Sequence, residues 1–133
     1  MKQSSLSIEK GDALLVVDVQ KDFCANGALA VDGGDDVVPV VNAWIDAACL
    51  KEVAIYLSRD WHPQNHLSFK QNGGKWPCHC VQDTDGARFH PDLKQPDHSI
   101  VVTKGTRFDK DQHSVFDDTG LGFQLKKERI LRL

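Results

Sequence analysis

Apolar positions fall along the chain in two rhythms. Ala13 to Val17 (ALLVV) is an unbroken apolar run without polar alternation, the pattern of a parallel strand covered on both faces. VAIYLS at 53–58 and SIVVTK at 99–104 repeat it and predict a second and a third buried strand. After Gly33 and Gly34, Val37, Val41, Trp44, Ile45 and Ala48 recur at helical spacing. They predict a helix over roughly 35–49, with Pro39 tolerated in its opening turns. A second helix is predicted over about 118–127, and RILRL at 129–133 reads as the beginning of a fourth strand. Alternation of strands and helices in this order is the signature of an α/β fold built on a parallel sheet. No repeat, low-complexity tract or linker interrupts residues 1–133, so one continuous domain is expected.

Charged residues stand where these strands should stop. Asp18 ends the first, within DVQKDF at 18–23, Asp60 follows the second, and Lys104 ends the third. Ligands of open parallel sheets bind beyond the carboxyl ends of the strands. Each residue alone could simply cap its strand in water; three together predict a shared site.

The loop after the second strand adds a metal-binding pattern. RDWHPQNHLSF supplies Asp60, His62 and His66, and KWPCHC supplies His79 between Cys78 and Cys80. Imidazole nitrogen with carboxylate oxygen suits zinc, manganese or iron(II), and three protein ligands leave positions open for water or substrate. A structural zinc site made from Cys78, His79 and Cys80 is the competing reading. Neighbouring residues of an extended segment face opposite ways, so His79 can face a site while both cysteines pack elsewhere. His90, His98 and His113 read as solvent-facing.

Charge and composition narrow the function classes. A net charge of −3 and a pI near 6.0 provide no basic stripe, so no nucleic-acid partner is expected. No apolar run reaches the roughly 20 residues of a membrane span, and MKQSSLSIEKG has no apolar leader core. A cytoplasmic protein without a membrane partner is expected, its four cysteines reduced.

Taken together, VVDVQKDFCANGALAV, SRDWHPQNHLSF, GGKWPCHCVQDTDGARFHPDL and VVTKGT resemble the nicotinamidase/pyrazinamidase branch of the isochorismatase-like cysteine hydrolases, over nearly the whole chain. The resemblance implies a three-layer α/β/α fold with a parallel, Rossmann-like sheet. It also implies hydrolysis of nicotinamide, a small-molecule substrate, to nicotinate and ammonia. Position by position it makes Asp18 the catalytic aspartate and Lys104 the catalytic lysine. Asp60, His62 and His79 become ligands of a divalent metal, zinc first and manganese or iron as alternatives. His66 matches a histidine that reaches the metal directly in some members and through water in others. Phe23 and Trp76 match the aromatic residues that sandwich the pyridine ring.

Departures from the family pattern are as informative. The family's nucleophilic cysteine lies beyond a fourth strand, after the point where this sequence ends, and none of Cys24, Cys49, Cys78 and Cys80 matches it. Cys24 is the one cysteine near a strand end that could substitute. Asn26 stands where glycine is usual, and HSVF at 113–116 where tyrosine and serine are usual. The expectation is therefore an incomplete domain of a longer protein, prone to self-association. The alternative is a noncatalytic metal- or ligand-binding relative, or a related amidase with another substrate.

Overall fold

A computed structural model describes residues 7–133; the first six residues, part of the stretch read above as lacking a leader, lie outside it. Three strands form a parallel sheet in the order β1-β2-β3: β1 is Ala13–Val17, β2 Ala54–Asp60 and β3 Ile100–Lys104. Helix α1, Val37–Leu50, crosses between β1 and β2, and α2, Leu121–Lys127, follows β3. Side-chain parity then builds the layers, because successive residues of a strand face opposite ways. Val16, Ile55 and Leu57 pack with Ile45 and Ala48 of α1. Ala13 and Tyr56 pack on the other face with Leu121 and Leu125 of α2. The result is the expected α/β/α arrangement, with helix on both sides of the sheet. Among the described residues no helix is long and apolar enough to cross a membrane.

The boundaries differ from expectation for identifiable reasons. Helix α1 begins at Val37, preceded by a 3₁₀ turn over Gly34–Asp36, and Pro39 costs it nothing because the first-turn amides have no intrahelical acceptor. Helix α2 starts three residues late because Asp118 and Gly120 hold φ of +55° and +79°, values a right-handed helix cannot contain. The third strand is buried only at its carboxyl end: Ile100 and Val101 are 42% and 43% exposed, since β3 is an edge of the sheet. RILRL contributes a single parallel bridge, Arg132 with Asp12, at the start of β1, rather than a strand. That bridge lies on the β1 edge opposite β2, so the connections run outward one way from β1 and return on its other side. The carboxyl end of β1, where Asp18 sits, is thus the crevice at which strand order reverses.

Within the core, Ile45 is 1% exposed, whereas Phe123 on α2 is 74% exposed. Ile45→Ala is expected to cost about 3 kcal/mol through lost burial and a residual cavity, and Phe123→Ala no more than about 0.5 kcal/mol. Urea unfolding of the two variants measures the contrast.

Candidate functional site

The three strand ends meet. β2 runs past its apolar stretch to Asp60, so Asp60 belongs to the strand rather than to the loop after it, and the parallel register sets it opposite Lys104. Lys104 Nζ donates to Asp60 Oδ1 and lies 2.9 Å from Asp18 Oδ2. Asp18 reaches this position from a left-handed backbone, φ +52°, which costs an L-residue about 1 kcal/mol. Ser58 stabilises it twice, accepting the Asp18 amide at 3.2 Å and donating its hydroxyl to Asp18 Oδ1 at 2.7 Å. Burial alone would push the Lys104 ammonium down; Asp60 and then Asp18 outweigh it and hold its pKa above the ordinary lysine value. Burial also penalises the charge on Asp60, yet its neighbours, the Lys104 ammonium among them, hold its carboxyl below the ordinary value.

The second carboxylate oxygen of Asp60 faces two imidazoles. Asp60 Oδ2 is 3.6 Å from His62 Nε2 and 4.0 Å from His79 Nε2, and the three donor atoms lie within 4.8 Å of one another. A tetrahedral cation with bonds of about 2.1 Å separates its ligands by about 3.4 Å, so a slight contraction completes the cage. The ring protons are already placed for it. His62 Nδ1 is 2.7 Å from the Gly105 carbonyl and His79 Nδ1 2.8 Å from the Pro77 carbonyl. A carbonyl only accepts, so the network assigns the proton to Nδ1 in both rings and leaves each Nε2 lone pair toward Asp60. The residues fit a divalent cation.

His66 is arranged the other way. Its Nε2 donates to the Lys110 carbonyl at 3.1 Å and its Nδ1 receives the Ser68 hydroxyl at 2.7 Å. Fully buried and stacked on His62 at 4.0 Å between centroids, it backs the His62 ring without a free lone pair. Burial, then the neighbouring His62, push its pKa down.

A second group, Cys24, Asp35 and His90, also brings metal-ligating atoms together. His90 is largely buried here, against the solvent-facing expectation, because its Nε2 donates to Asp35 Oδ1 at 2.8 Å. Its Nδ1 accepts the Asp92 amide at 3.0 Å. Neither nitrogen then offers a lone pair to a cation, and burial followed by the charge of Asp35 pushes the Cys24 thiol up. This group is a structural tie and not a nucleophile. His98 and His113 are exposed as expected, although His113 borders the mouth of the site.

Asp18, Lys104, Asp60, His62 and His79 line one cleft of about 190 Å³ together with Phe23 and Trp76. It suits a single-ring ligand, being smaller than the roughly 300–1,000 Å³ of drug-sized pockets. Phe23 lies 5.7 Å from the His79 ring, and Trp76 is 45% exposed at the mouth. None of the four cysteines lines the cleft. Cys78 is exposed, and Cys80 is fully buried with its thiol pushed far up, first by burial and then by Asp60. Neither joins the cation-ready group, although the segment is not the extended strand expected, Cys80 holding φ +48°.

Sequence reasoning missed the residues that brace the site. Gln20, fully buried, grips the Asp60 backbone as a strand partner would, accepting its amide at 2.8 Å and donating to its carbonyl at 2.7 Å. Asp22 accepts the Cys80 amide at 2.7 Å, anchoring the segment that carries His79. His62 and Cys80 are joined by a further backbone bond of 2.8 Å. DVQKDF thus supplies two bracing residues, Gln20 and Asp22, and its alternating polar residues at the end of an apolar strand were the available signal. Gln112 and Asp111, which also border the cleft, carried none.

A family model described as the isochorismatase domain matches residues 12–133. The Escherichia coli nicotinamidase is 43% identical over 123 residues, covering 81% of this chain and 58% of the relative. A pyrazinamidase of Pyrococcus horikoshii, solved in complex with zinc, is 43% identical with a TM-score of 0.85, covering 89% of this chain and 65% of that one. PnC1 from L. infantum, solved in complex with nicotinate, is 34% identical with a TM-score of 0.83, covering 93% and 66%. The chain therefore spans less than two thirds of the length of each of these relatives.

Replacing Lys104 by Met in the metal-free protein leaves Asp18 and Asp60 uncompensated and is expected to cost about 3 kcal/mol at pH 7. The raised Lys104 pKa makes its contribution complete below about 10.4 and lost as pH climbs through the folded value. The lowered Asp60 pKa makes its contribution complete above about 3.9 and lost as pH falls through the folded value. Wild-type stability from this cluster is therefore flat between those limits. In Lys104→Met the buried Asp60 carboxylate, without its ammonium partner, takes up a proton more readily, so the deficit shrinks on acidification from neutral toward about pH 5. Denaturant unfolding across that range checks this; a deficit independent of pH contradicts it.

Proposed function

The chain belongs to the isochorismatase family, and from that premise we propose that it forms the metal-binding, acid–base and ring-binding parts of an amidohydrolase converting nicotinamide to nicotinate and ammonia. Pyrazinamide-like amides are further substrates. The observation that carries this reading is the contact of Asp18 with Lys104 beside the cation-ready Asp60, His62 and His79, in one cleft with two aromatic rings. Similarity to a zinc-bound pyrazinamidase and to a nicotinate-bound relative supports it.

Each residue then has a role suited to its surroundings. An amide carbonyl is a poor electrophile, so a thiolate attacks its carbon, the carbon–sulfur bond forms, and the carbon–nitrogen bond breaks to a thioester. Asp18, its carboxylate braced by Ser58, takes the thiol proton and returns it to the departing nitrogen, which leaves as ammonia. Lys104, held cationic between two carboxylates, favours the thiolate over the thiol. Water then cleaves the thioester to give the acid. Phe23 and Trp76 hold the two faces of the pyridine ring and fix the carboxamide relative to Asp18. Asp60, His62 and His79 hold zinc. The ion supplies Lewis acidity for orienting a ring nitrogen and acidifying water. We assign the thiol to a residue outside these 133, because no cysteine here lines the cleft.

Ammonia release from nicotinamide by the metal-loaded, full-length gene product tests the proposal. Chelation is expected to abolish release, and Asp18→Asn to lower kcat at least about 100-fold while leaving bound metal unchanged. A metal-loaded protein that binds nicotinamide without releasing ammonia would instead establish the noncatalytic ligand-binding reading.

A further inference from the structure

We infer that Gln112, on the loop after β3, is a positioning residue for both His62 and Lys104, a reading that rests on Asp60, His62 and His79 holding a cation. The Gly105 carbonyl accepts His62 Nδ1–H at 2.7 Å and so sets which nitrogen of the ring faces Asp60. Gly105 itself is the least constrained kind of residue to hold that carbonyl. Its φ is +69°, and an added Cβ would stand 2.4 Å from His62 Cε1, so only glycine fits so close to the ring. Its orientation must come from outside. Gln112 Oε1 accepts the Gly105 amide at 2.7 Å, and on the other side of the same peptide the Lys104 carbonyl accepts the Trp61 amide at 3.0 Å.

The peptide between Lys104 and Gly105 is therefore clamped at both ends, by the continuation of β2 and by Gln112. Gln112 is itself fixed, its Nε2 donating to the Asp117 carbonyl. It also borders the cleft, so the mouth of the site and the orienting bond of a metal ligand are two hydrogen bonds apart. Removing the Oε1 acceptor frees Gly105 to rotate, and with it the carbonyl that keeps the His62 proton on Nδ1.

Cobalt(II) titration of the intact protein, followed by ligand-field absorption, tests this. Outer partners of metal-bound imidazoles are typically worth 10–100-fold in affinity. With one further bond intervening, Gln112→Ala is expected to weaken cobalt binding about tenfold and to change the shape of the spectrum. Gln112→Glu keeps an acceptor for the Gly105 amide but loses the Nε2 donor to the Asp117 carbonyl, and is expected to fall between wild type and the alanine variant in affinity. Should the alanine variant not fold, Gln112→Met, of similar length without a strong acceptor, carries the same expectation. An alanine variant indistinguishable from wild type, or alanine and glutamate variants that lose affinity equally, overturns the inference. Wild-type protein that takes up no cobalt, or a His62→Ala variant that takes it up equally well, fails the metal site itself rather than the role of Gln112.

Discussion

The Lys104 ammonium is buried at the carboxyl edge of the sheet, and the rest of the site is arranged around neutralising it. A lone cation withdrawn from water costs several kcal/mol, and here two carboxylates from two other strands offset that cost. Each carboxylate has to be held in place. The β2–β3 register and the Gln20 clamp fix Asp60, while a left-handed turn and Ser58 fix Asp18. Asp60 divides its two oxygens, one toward Lys104 and the other toward His62 and His79. The Asp18–Lys104 pair and the two imidazoles therefore share one side chain.

Comparison of the two histidine groups explains why proximity alone does not make a metal site. Both bring three donor atoms within reach. In one, backbone carbonyls take the Nδ1 protons and leave Nε2 free; in the other, a backbone amide occupies Nδ1 and Asp35 occupies Nε2. The direction of the outer hydrogen bonds decides between cation binding and a structural tie. The same logic sets His66 apart: it packs against His62 and supports the ring from behind with both nitrogens engaged.

Much of this was legible in the sequence, and the exceptions have physical causes. Local patterning was enough for β1, α1 and the convergence of Asp18, Asp60 and Lys104, because apolar runs and strand ends depend on near neighbours in the chain. The exposure of β3 could not be read from SIVVTK, since a strand's burial depends on what lies beside it in the sheet. The late start of α2 turned on left-handed residues at Asp118 and Gly120. Gln20, Ser58 and Gln112 act through contacts 7 to 67 residues away in sequence, beyond any local pattern. His90 looked solvent-facing because Asp35, the partner that buries it, lies 55 residues earlier.

X-ray absorption at the zinc edge of the zinc-loaded protein tests the shared role of Asp60 most directly. Zinc held by Asp60, His62 and His79 is expected to show a first shell of nitrogen and oxygen only, at about 2.0–2.2 Å, with the multiple-scattering pattern of two imidazoles. A sulfur neighbour at about 2.3 Å would place Cys78, Cys80 or Cys24 on the ion and contradict a cation held by Asp60, His62 and His79.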